Sequence, residues 1–345
     1  MAADTAPDQP EPGTPAWHAL VVEPIIDPDR EIIDPHHHLW PASGRFPYDI
    51  GDLAADTGSG HNVIATMFME CHAAYHDDGP DHLRVIGETE FVVDSAERLL
   101  VEHPASPPIA GIVGAADLSD LENLDEVLDA HVDAAKGRFR GIRDALSSPI
   151  EPEALRIPGR YGPDKYLDEN FRAGVARLGV RGFTYDTWHY HHQIPEMTAL
   201  ARATPGTTMV LDHFGTPLGV GMFAGKRRDI YKQWKIDIAE LATCPNVVAK
   251  IGGMAMPDNG YGWDVADRPA TSDELVEQQA DWYHHTIDCF GPQRCMFESN
   301  FPVDRLSISY AVLFNALKKI AARYSDDEQQ AMFSGTARRV YSLAA

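Results

Sequence analysis

Eight short apolar runs, rich in β-branched residues, recur along the chain and predict buried strands. They are Ile32–His36, Val63–Glu70, Ile109–Ala115, Phe139–Arg143, Arg181–Asp186, Thr208–His213, Val247–Ile251 and Cys295–Ser299. Segments with the periodicity of amphipathic helices lie between most of these runs. They include His82–His103, Asp120–Ala135, Ile230–Leu241 and Ser272–Phe290, and a final helical region covers Ser309–Leu343. Strands that alternate with helices pair in parallel, through right-handed crossovers.

Two α/β architectures fit this alternation, an open doubly wound sheet and a closed (β/α)8 barrel. The count of eight strands favours a distorted TIM barrel with extra C-terminal helices, as do the polar residues that end nearly every run. Hydrophobic residues make up 44% of the 345 residues, without a compositional boundary that would mark a second domain. We therefore expect one barrel over residues 19–345. Residues 1–18, rich in Pro and Ala, predict a disordered or surface-draped arm.

Charge and composition narrow the classes of function. The 52 acidic and 29 basic residues give a net charge of −23, which argues against binding to nucleic acids or anionic membranes. No apolar run is long enough to predict a membrane-spanning helix, and no glycine-rich nucleotide motif follows a strand. The four cysteines lack CxxC spacing, so we expect reduced thiols and a cytoplasmic protein.

The candidate chemistry lies at the strand ends. Alternation along the first strand puts His36 and His38 on one face, where two imidazoles can hold a divalent metal or an anionic substrate. Of Arg140 and Arg143, which alternation puts on opposite faces, only one can enter the barrel. Further ionisable or amide side chains end the other strands: Glu70, Asp186, Asp212, His213, Lys250, Glu298 and Asn300. Some have simpler explanations, since Lys250 could pair with Glu298 and Asp212 could be a structural hydrogen-bond partner.

Four motifs in this order resemble the amidohydrolase superfamily, and more closely its amidohydrolase-2 branch, which includes sugar-lactone and dicarboxylate lactonases. The motifs are His36-x-His38, Phe139-Arg140-Gly141-Ile142-Arg143, Asp212-His213-x-Gly215 and Glu298-Ser299-Asn300-Phe301-Pro302. The resemblance runs from about residue 30 to residue 343. It implies a distorted barrel that hydrolyses a lactone, an ester or a related acyl bond.

The resemblance also implies roles for particular residues. Some relatives bind one zinc or similar ion, and here His36, His38 and His213 would be the ligands of a zinc or manganese ion. Other relatives need no metal, so a metal-free mechanism stays open. Arg143 would clamp a carbonyl or carboxylate, which implies a small, carboxylate-bearing substrate, and the chain could form a homo-oligomer. Further substrate contacts are expected from Asp186, Trp188, Trp40 and Tyr75.

One position departs from the family pattern, because Asn300 replaces the usual Asp of the last strand. An amide cannot take up a proton at neutral pH and is a poor metal ligand. Glu298 or Glu70 could supply the missing carboxylate, or a histidine such as His213 could transfer the proton. Asn300 would then hydrogen-bond the substrate. Two other functions stay open: decarboxylation or carbon–carbon cleavage on the same barrel, and a non-catalytic barrel that only binds a ligand.

Overall fold

The computed structural model describes residues 9–41, 44, 46–159 and 161–344. Its eight strands form one parallel sheet in which each strand pairs with the next along the chain. The strands are β1 (Ile32–His37), β2 (Val63–Met69), β3 (Ile109–Gly114), β4 (Phe139–Arg143), β5 (Thr184–Thr187), β6 (Met209–Leu211), β7 (Val247–Ile251) and β8 (Cys295–Phe297). The predicted TIM barrel is confirmed.

The barrel closes between β1 and the residues that follow β8. The His38 N–H donates to the Phe301 carbonyl at 2.8 Å, and the Asn300 N–H donates to the His36 carbonyl at 3.0 Å. This junction, which we call the seam, joins the first motif of the sequence to the last. It therefore brings the two polar segments of the chain that lie farthest apart into direct contact.

Helices cover the outside of the barrel and follow the strands. They are α1 (Pro15–His18), α2 (Ile50–Thr57), α3 (Ile86–Glu102), α4 (Leu124–Ala134), α5 (Glu169–Val180), α6 (Ile194–Ala203), α7 (Arg227–Ala242), α8 (Ser272–Phe290), α9 (Tyr310–Ala321), α10 (Asp326–Gln330) and α11 (Thr336–Val340). The predicted C-terminal helical region is thus three helices, and a π-helical turn, Ala331–Gly335, joins the last two. Across the described ranges, none of the helices combines the length and apolar character needed to cross a membrane.

Several strands end earlier than the apolar runs predict. β6 ends at Leu211 and β8 at Phe297, whereas the runs extend to His213 and Ser299. Beyond these ends the backbone leaves the extended conformation, with φ of 52° at His213 and 57° at Asn300. Few residues other than glycine adopt this left-handed region. In β6 and β8 the strand ladder therefore stops before His213 and Asn300, whereas His36 and Arg143 lie within β1 and β4.

The barrel interior is apolar at the end from which the strands start. The strands contribute Ile33, Met67, Val113, Val210, Val248 and Met296 to this apolar cluster. These side chains pack against three residues near the C-terminus, Ala337, Tyr341 and Leu343. A second and larger apolar cluster lies between the strands and the helices. The polar and charged side chains of the interior lie above the first cluster, toward the C-terminal ends of the strands, where barrel enzymes place their sites.

The segment before β1 contacts the barrel. Trp17 of α1 is completely buried, and the Gln9 side chain donates to the Asp267 carbonyl at 3.0 Å. The arm predicted over residues 1–18 falls in part on residues 1–8, which lie outside the described residues.

Candidate active site

A cavity of about 750 Å³ opens at the C-terminal ends of the strands. Its polar and aromatic lining comes from His38, Trp40, Glu70, His72, Tyr75, Asp77, Asp117, Arg143, Asp144, Tyr161, Trp188, His213 and Asn300. Most of the residues predicted from the sequence are thus brought together here. Three of them, His36, Asp186 and Glu298, are completely buried and do not line the cavity.

The histidines of β1 divide between the two faces of the strand. His36 Nε2 lies 3.3 Å from His38 Nε2, whereas His37 turns away and contacts the Thr66 hydroxyl at 3.1 Å. The other ring nitrogen of His38, Nδ1, donates to the Met69 carbonyl at 2.9 Å. Since that bond holds the proton on Nδ1, the lone pair of His38 is on Nε2 and faces His36.

The carboxylate of Glu298 lies between two imidazoles. Its Oε1 accepts a hydrogen bond from His213 Nδ1 at 2.7 Å. Its Oε2 lies 2.9 Å from His36 Nδ1, but off the line needed for a well-aligned hydrogen bond. A carboxylate is a nearer neighbour of this nitrogen than the Lys250 ammonium at 3.4 Å, which favours a proton on His36 Nδ1. The Nε2 lone pairs of His36 and His38 therefore face each other.

Burial controls the charge of these groups. Desolvation lowers the pKa of His36 and of His38 well below the usual value, and it lowers the pKa of His213 to about 3. The imidazoles are therefore neutral at physiological pH, which is the form that binds metals. Desolvation also raises the pKa of Glu298 to about 8, so a bound cation would be needed to favour its charged form.

Arg143 is held by two carboxylates. Its Nε donates to Glu70 Oε1 at 2.8 Å, and its Nη1 donates to Asp212 Oδ2 at 3.3 Å. The same Nη1 lies 3.4 Å from His36 Nε2. The other arginine of β4, Arg140, bonds backbone carbonyls, including Gly137 at 2.8 Å. Arg143 is thus the arginine that enters the site, and its positive charge is already balanced.

Lys250 forms a second buried ion network below the first. Its ammonium donates to Asp186 Oδ2 at 2.8 Å and lies 3.2 Å from Asp212 Oδ1. The ion pairs of Lys250 are thus with Asp186 and Asp212, and Glu298, the partner considered from the sequence, acts on the ammonium through its charge after these two. Burial alone would lower the pKa of Lys250, but the charges of Asp186 and Asp212 outweigh it and raise that pKa.

Asp186 does not have the predicted role of a substrate contact. It is completely buried, it accepts a hydrogen bond from the Thr184 hydroxyl at 2.9 Å, and it accepts another from the Tyr341 hydroxyl. Together with the Lys250 ammonium, these donors occupy the carboxylate. Asp186 therefore holds the barrel interior together and has no access to the cavity.

Asn300 lines the cavity, and its amide nitrogen is bound by a buried aspartate on the side away from the cavity. Its Nδ2 donates to Asp304 Oδ1 at 2.8 Å, and the other oxygen of this buried aspartate accepts from the Ala255 N–H at 2.9 Å. The amide oxygen of Asn300 is thereby left for the cavity. Asp304 was not predicted from the sequence, although an acidic residue four positions after Asn300 was a signal that could have found it.

Part of the cavity wall was also not predicted from the sequence. His72 and Tyr161 belong to the lining, together with Asp144, whose carboxylate accepts from the Tyr161 hydroxyl at 2.9 Å. Desolvation raises the pKa of this buried aspartate to about 7. His72 and Tyr161 lie in loops that follow strands, where hydrophobic patterns carry no information.

The donor set fits a divalent metal. Within the described residues, one ligand atom each from His36, His213 and Glu298 lie within 4.8 Å of one another. His38 lies beside this group, next to His36, and two ligands about 2.0–2.1 Å from a tetrahedral zinc lie about 3.3–3.4 Å apart. The observed His36–His38 separation of 3.3 Å matches that value, and a cation would relieve the repulsion between their lone pairs.

Known proteins resemble this chain along nearly its whole length. A family model described as Amidohydrolase matches residues 33–343. An uncharacterized protein, y4mH, from Sinorhizobium fredii is 31% identical over 339 residues, which are 91% of this chain and 99% of that protein. An L-fucono-1,5-lactonase from Burkholderia multivorans is 28% identical over 326 residues, which are 90% of this chain and 96% of that protein.

A solved structure shows the same architecture. The crystal structure of an amidohydrolase from Burkholderia multivorans with bound zinc superposes with a TM-score of 0.69 at 25% sequence identity. The match covers 91% of this chain and 99% of that chain.

Proposed function

This chain belongs to the amidohydrolase family, and from that premise we propose that it hydrolyses the ester bond of a small, neutral lactone. The observation that carries the proposal is the pair of imidazole nitrogens, His36 Nε2 and His38 Nε2, 3.3 Å apart beside a cavity of substrate size. The lactonase among its relatives supports the choice of a lactone.

We assign His36, His38 and His213 as the residues that would hold one zinc or manganese ion. Such an ion, when bound, acidifies a water ligand and polarises the substrate carbonyl. Glu298 would hold the Nδ1 side of His36 and His213, as carboxylates beside metal-binding histidines commonly do. The zinc in the solved relative supports this assignment. A metal-free route would use the same imidazoles and the Nη1 of Arg143 to stabilise the oxyanion.

Glu70 is the carboxylate that we propose as the general base. It lines the cavity, Arg143 holds its Oε1, and its buried Oε2 makes no hydrogen bond. Glu298, the other candidate, lies beneath two imidazoles and does not line the cavity. It therefore does not reach a water that attacks the substrate. Glu70 therefore replaces the carboxylate that Asn300 lacks, and Asn300 offers its amide oxygen to a substrate hydroxyl.

The charge of the cavity favours a neutral substrate over the carboxylate-bearing one expected from the sequence. The lining carries four carboxylates, Glu70, Asp77, Asp117 and Asp144, and one cation, Arg143. That cation is already paired twice, so a substrate carboxylate would meet mainly acidic side chains and would compete with the reacting carbonyl for the bound ion. The same argument disfavours decarboxylation, whose substrates are anions. The aromatic side chains of Trp40, Tyr75, Tyr161 and Trp188 suit the apolar face of a sugar-like ring.

Two measurements on the untreated protein test this proposal. We expect about one zinc or manganese per chain by plasma mass spectrometry, and hydrolysis of neutral sugar lactones but not of dicarboxylate lactones. His36→Ala should lose the metal and at least a hundredfold in kcat/KM while keeping its circular dichroism. Activity confined to dicarboxylates, or a fully active His36→Ala variant, would contradict the proposal.

Two other predictions from the sequence stay open. The four cysteines are free thiols, which supports our proposal of a reducing compartment such as the cytoplasm. Homo-oligomerisation stays a prediction.

A further inference from the structure

The turn that follows β2 carries His72 to the cavity and is held in an uncommon conformation. The backbone φ is 59° at His72 and 52° at Ala74. Side chains other than glycine seldom adopt such angles, so the surroundings must enforce them. The buried Glu88 of α3 does so, because its Oε1 accepts the N–H groups of Cys71 at 3.0 Å and Ala73 at 2.7 Å. These two bonds flank His72 on both sides.

Close packing of α3 restrains the same turn. A Cβ added at Gly87 would lie 2.5 Å from the Ala74 carbonyl oxygen and 2.6 Å from a ring carbon of His76. Only glycine allows this approach of helix and turn. The fold thus uses a buried carboxylate and a glycine contact to fix the position of one histidine at the mouth of the site.

The ring of His72 links two other residues of the cavity lining. Its Nδ1 lies 3.1 Å from the Tyr75 hydroxyl oxygen, and its Nε2 lies 3.7 Å from Glu70 Oε2. That carboxylate oxygen is buried and makes no hydrogen bond. The Nε2 of His72 therefore faces the oxygen of Glu70 that Arg143 does not bind. A small rotation of either side chain would bring the two atoms within hydrogen-bond distance.

We propose that Glu70 and His72 form a proton relay from the attacking water to the leaving oxygen, a role that rests on the lactone hydrolysis proposed above. The water oxygen forms a bond to the carbonyl carbon, and a water proton passes to Glu70 Oε2. That proton moves on to His72 Nε2. The ring carbon–oxygen bond then breaks, and the leaving oxygen takes the proton from His72. The product is the hydroxy acid, and both side chains return to their starting forms.

The chemistry of the pair explains the direction of the relay. His72 Nε2 is the nitrogen that can take a proton from Glu70 Oε2, because it faces this oxygen at 3.7 Å while the Tyr75 hydroxyl lies at Nδ1. The imidazolium is stabilised by the carboxylate that it faces, while its Nδ1–H donates to the Tyr75 hydroxyl. An alkoxide is a poor leaving group unless it is protonated, and general acids contribute about 10²–10⁴-fold to such steps.

The leaving group provides the test. Wild type and His72→Gln are compared on δ-valerolactone, which releases an alkoxide, and on dihydrocoumarin, which releases a stabilised phenoxide; both substrates are neutral. We expect His72→Gln to lose about a hundredfold in kcat/KM on the first and less than about threefold on the second. His76→Gln is the matched control, because His76 lies in the same turn, is equally exposed and pairs with Glu90. It should match wild type on both lactones.

The outcomes separate this proposal from the function on which it rests. An equal loss on both lactones, or none, would overturn the relay and leave the lactonase in place. A wild type that hydrolyses neither lactone, nor any sugar lactone, would overturn both.

Glu88 is a positioning residue in this scheme, and two variants test it. Glu88→Gln keeps an oxygen that can accept both N–H groups and should behave like wild type. Glu88→Leu removes the acceptor and should reproduce the selective loss on δ-valerolactone. A uniform loss on both lactones in Glu88→Leu would assign Glu88 to stability alone.

Discussion

Asn300 replaces the aspartate typical of its family position, and its surroundings explain why an amide suits that place here. The Nδ2 of Asn300 donates to the buried carboxyl of Asp304, which a second carboxylate at position 300 could not do. Two buried carboxyl groups at hydrogen-bond distance share one proton. The amide is therefore a partner for a neighbouring acid, and its presence does not mark a barrel that has lost its chemistry.

We expect Asn300→Asp to destabilise the protein by about 1–3 kcal/mol at pH 8, since it brings a second carboxyl to Asp304. The penalty should shrink at pH 5, because the folded pair takes up a proton that the unfolded carboxyls do not hold, and this uptake becomes easier as the pH falls. Urea denaturation at both pH values measures the difference.

The double variant Asn300→Asp/Asp304→Asn is the control, since it restores an amide–carboxyl pair and should recover most of the lost stability. A gain of activity in Asn300→Asp alone would contradict this account and favour a missing base at position 300.

Residue roles were predictable where strand periodicity decides them. Alternation selects His36, His38 and one arginine for the interior, and the structure places these three side chains there. It could not assign Asp186, because the partner that occupies its carboxylate, Tyr341, lies 155 residues away in sequence. Asp304 and His72 were missed for a related reason, since their positions depend on turn geometry and on contacts with distant elements.

At the scale of elements, all eight strands were predictable from the apolar runs in the sequence, because buried parallel strands are nearly continuous stretches of apolar residues. The ends of the strands were less predictable, since the backbone turns at His213 and Asn300 do not change the hydrophobic pattern of the sequence. Three crossover helices, α2, α5 and α6, were not among the named segments. The apolar stripe of α5 is interrupted by Gly174 and Gly179, which lowers its helical signal.

One helix packs on its strand through a buried histidine. His131 of α4 covers Gly114 at the end of β3, where an added Cβ would lie 2.8 Å from the ring. Its Nε2 donates to the Ala115 carbonyl at 2.9 Å, and its Nδ1 accepts from the Thr89 hydroxyl at 2.8 Å. The ring is thus satisfied in its neutral form, and desolvation lowers the pKa of His131 to about 4.

This packing predicts a dependence of stability on pH. Between pH 6.5 and pH 4 the unfolded chain binds a proton at His131 that the folded chain does not, so stability falls as the pH falls through that window. We expect His131→Gln to be less stable than wild type at pH 7.5. Its further loss on transfer to pH 5 should be smaller than that of wild type by up to about 2 kcal/mol.

Urea denaturation at the two pH values measures this difference. Identical losses in wild type and His131→Gln would exclude His131 as a source of acid sensitivity.

At the scale of the whole molecule, the end of the chain completes the barrel interior. Tyr341 is buried with Ile33, Met67 and Met296, and its hydroxyl donates to Asp186. Asp186 in turn holds the ammonium of Lys250. Tyr341, the residue that follows α11, therefore supports the ion network beneath the site without taking part in the chemistry.

Tyr341→Phe should destabilise the protein by about 1–2 kcal/mol, because a buried carboxylate loses a hydrogen-bond donor while the ring stays in place. The kcat/KM for the best lactone should change less than about threefold. Tyr231→Phe, which removes a hydroxyl from an exposed bond to the Asp281 carbonyl, is the control and should change stability by less than about 0.5 kcal/mol. A large loss of activity without a loss of stability in Tyr341→Phe would assign the network a direct catalytic role.

The seam has a consequence for biosynthesis. The backbone carbonyl of His36 meets the side chain of Ser299 across 263 residues of sequence, and Glu298 beside it holds two of the imidazoles. A ribosome that has made β1 must therefore synthesise nearly the whole remaining barrel before these histidines acquire their partners. Nascent and truncated chains lack an assembled site. The moment at which hydrolytic activity appears during translation would therefore mark the moment at which the barrel is complete.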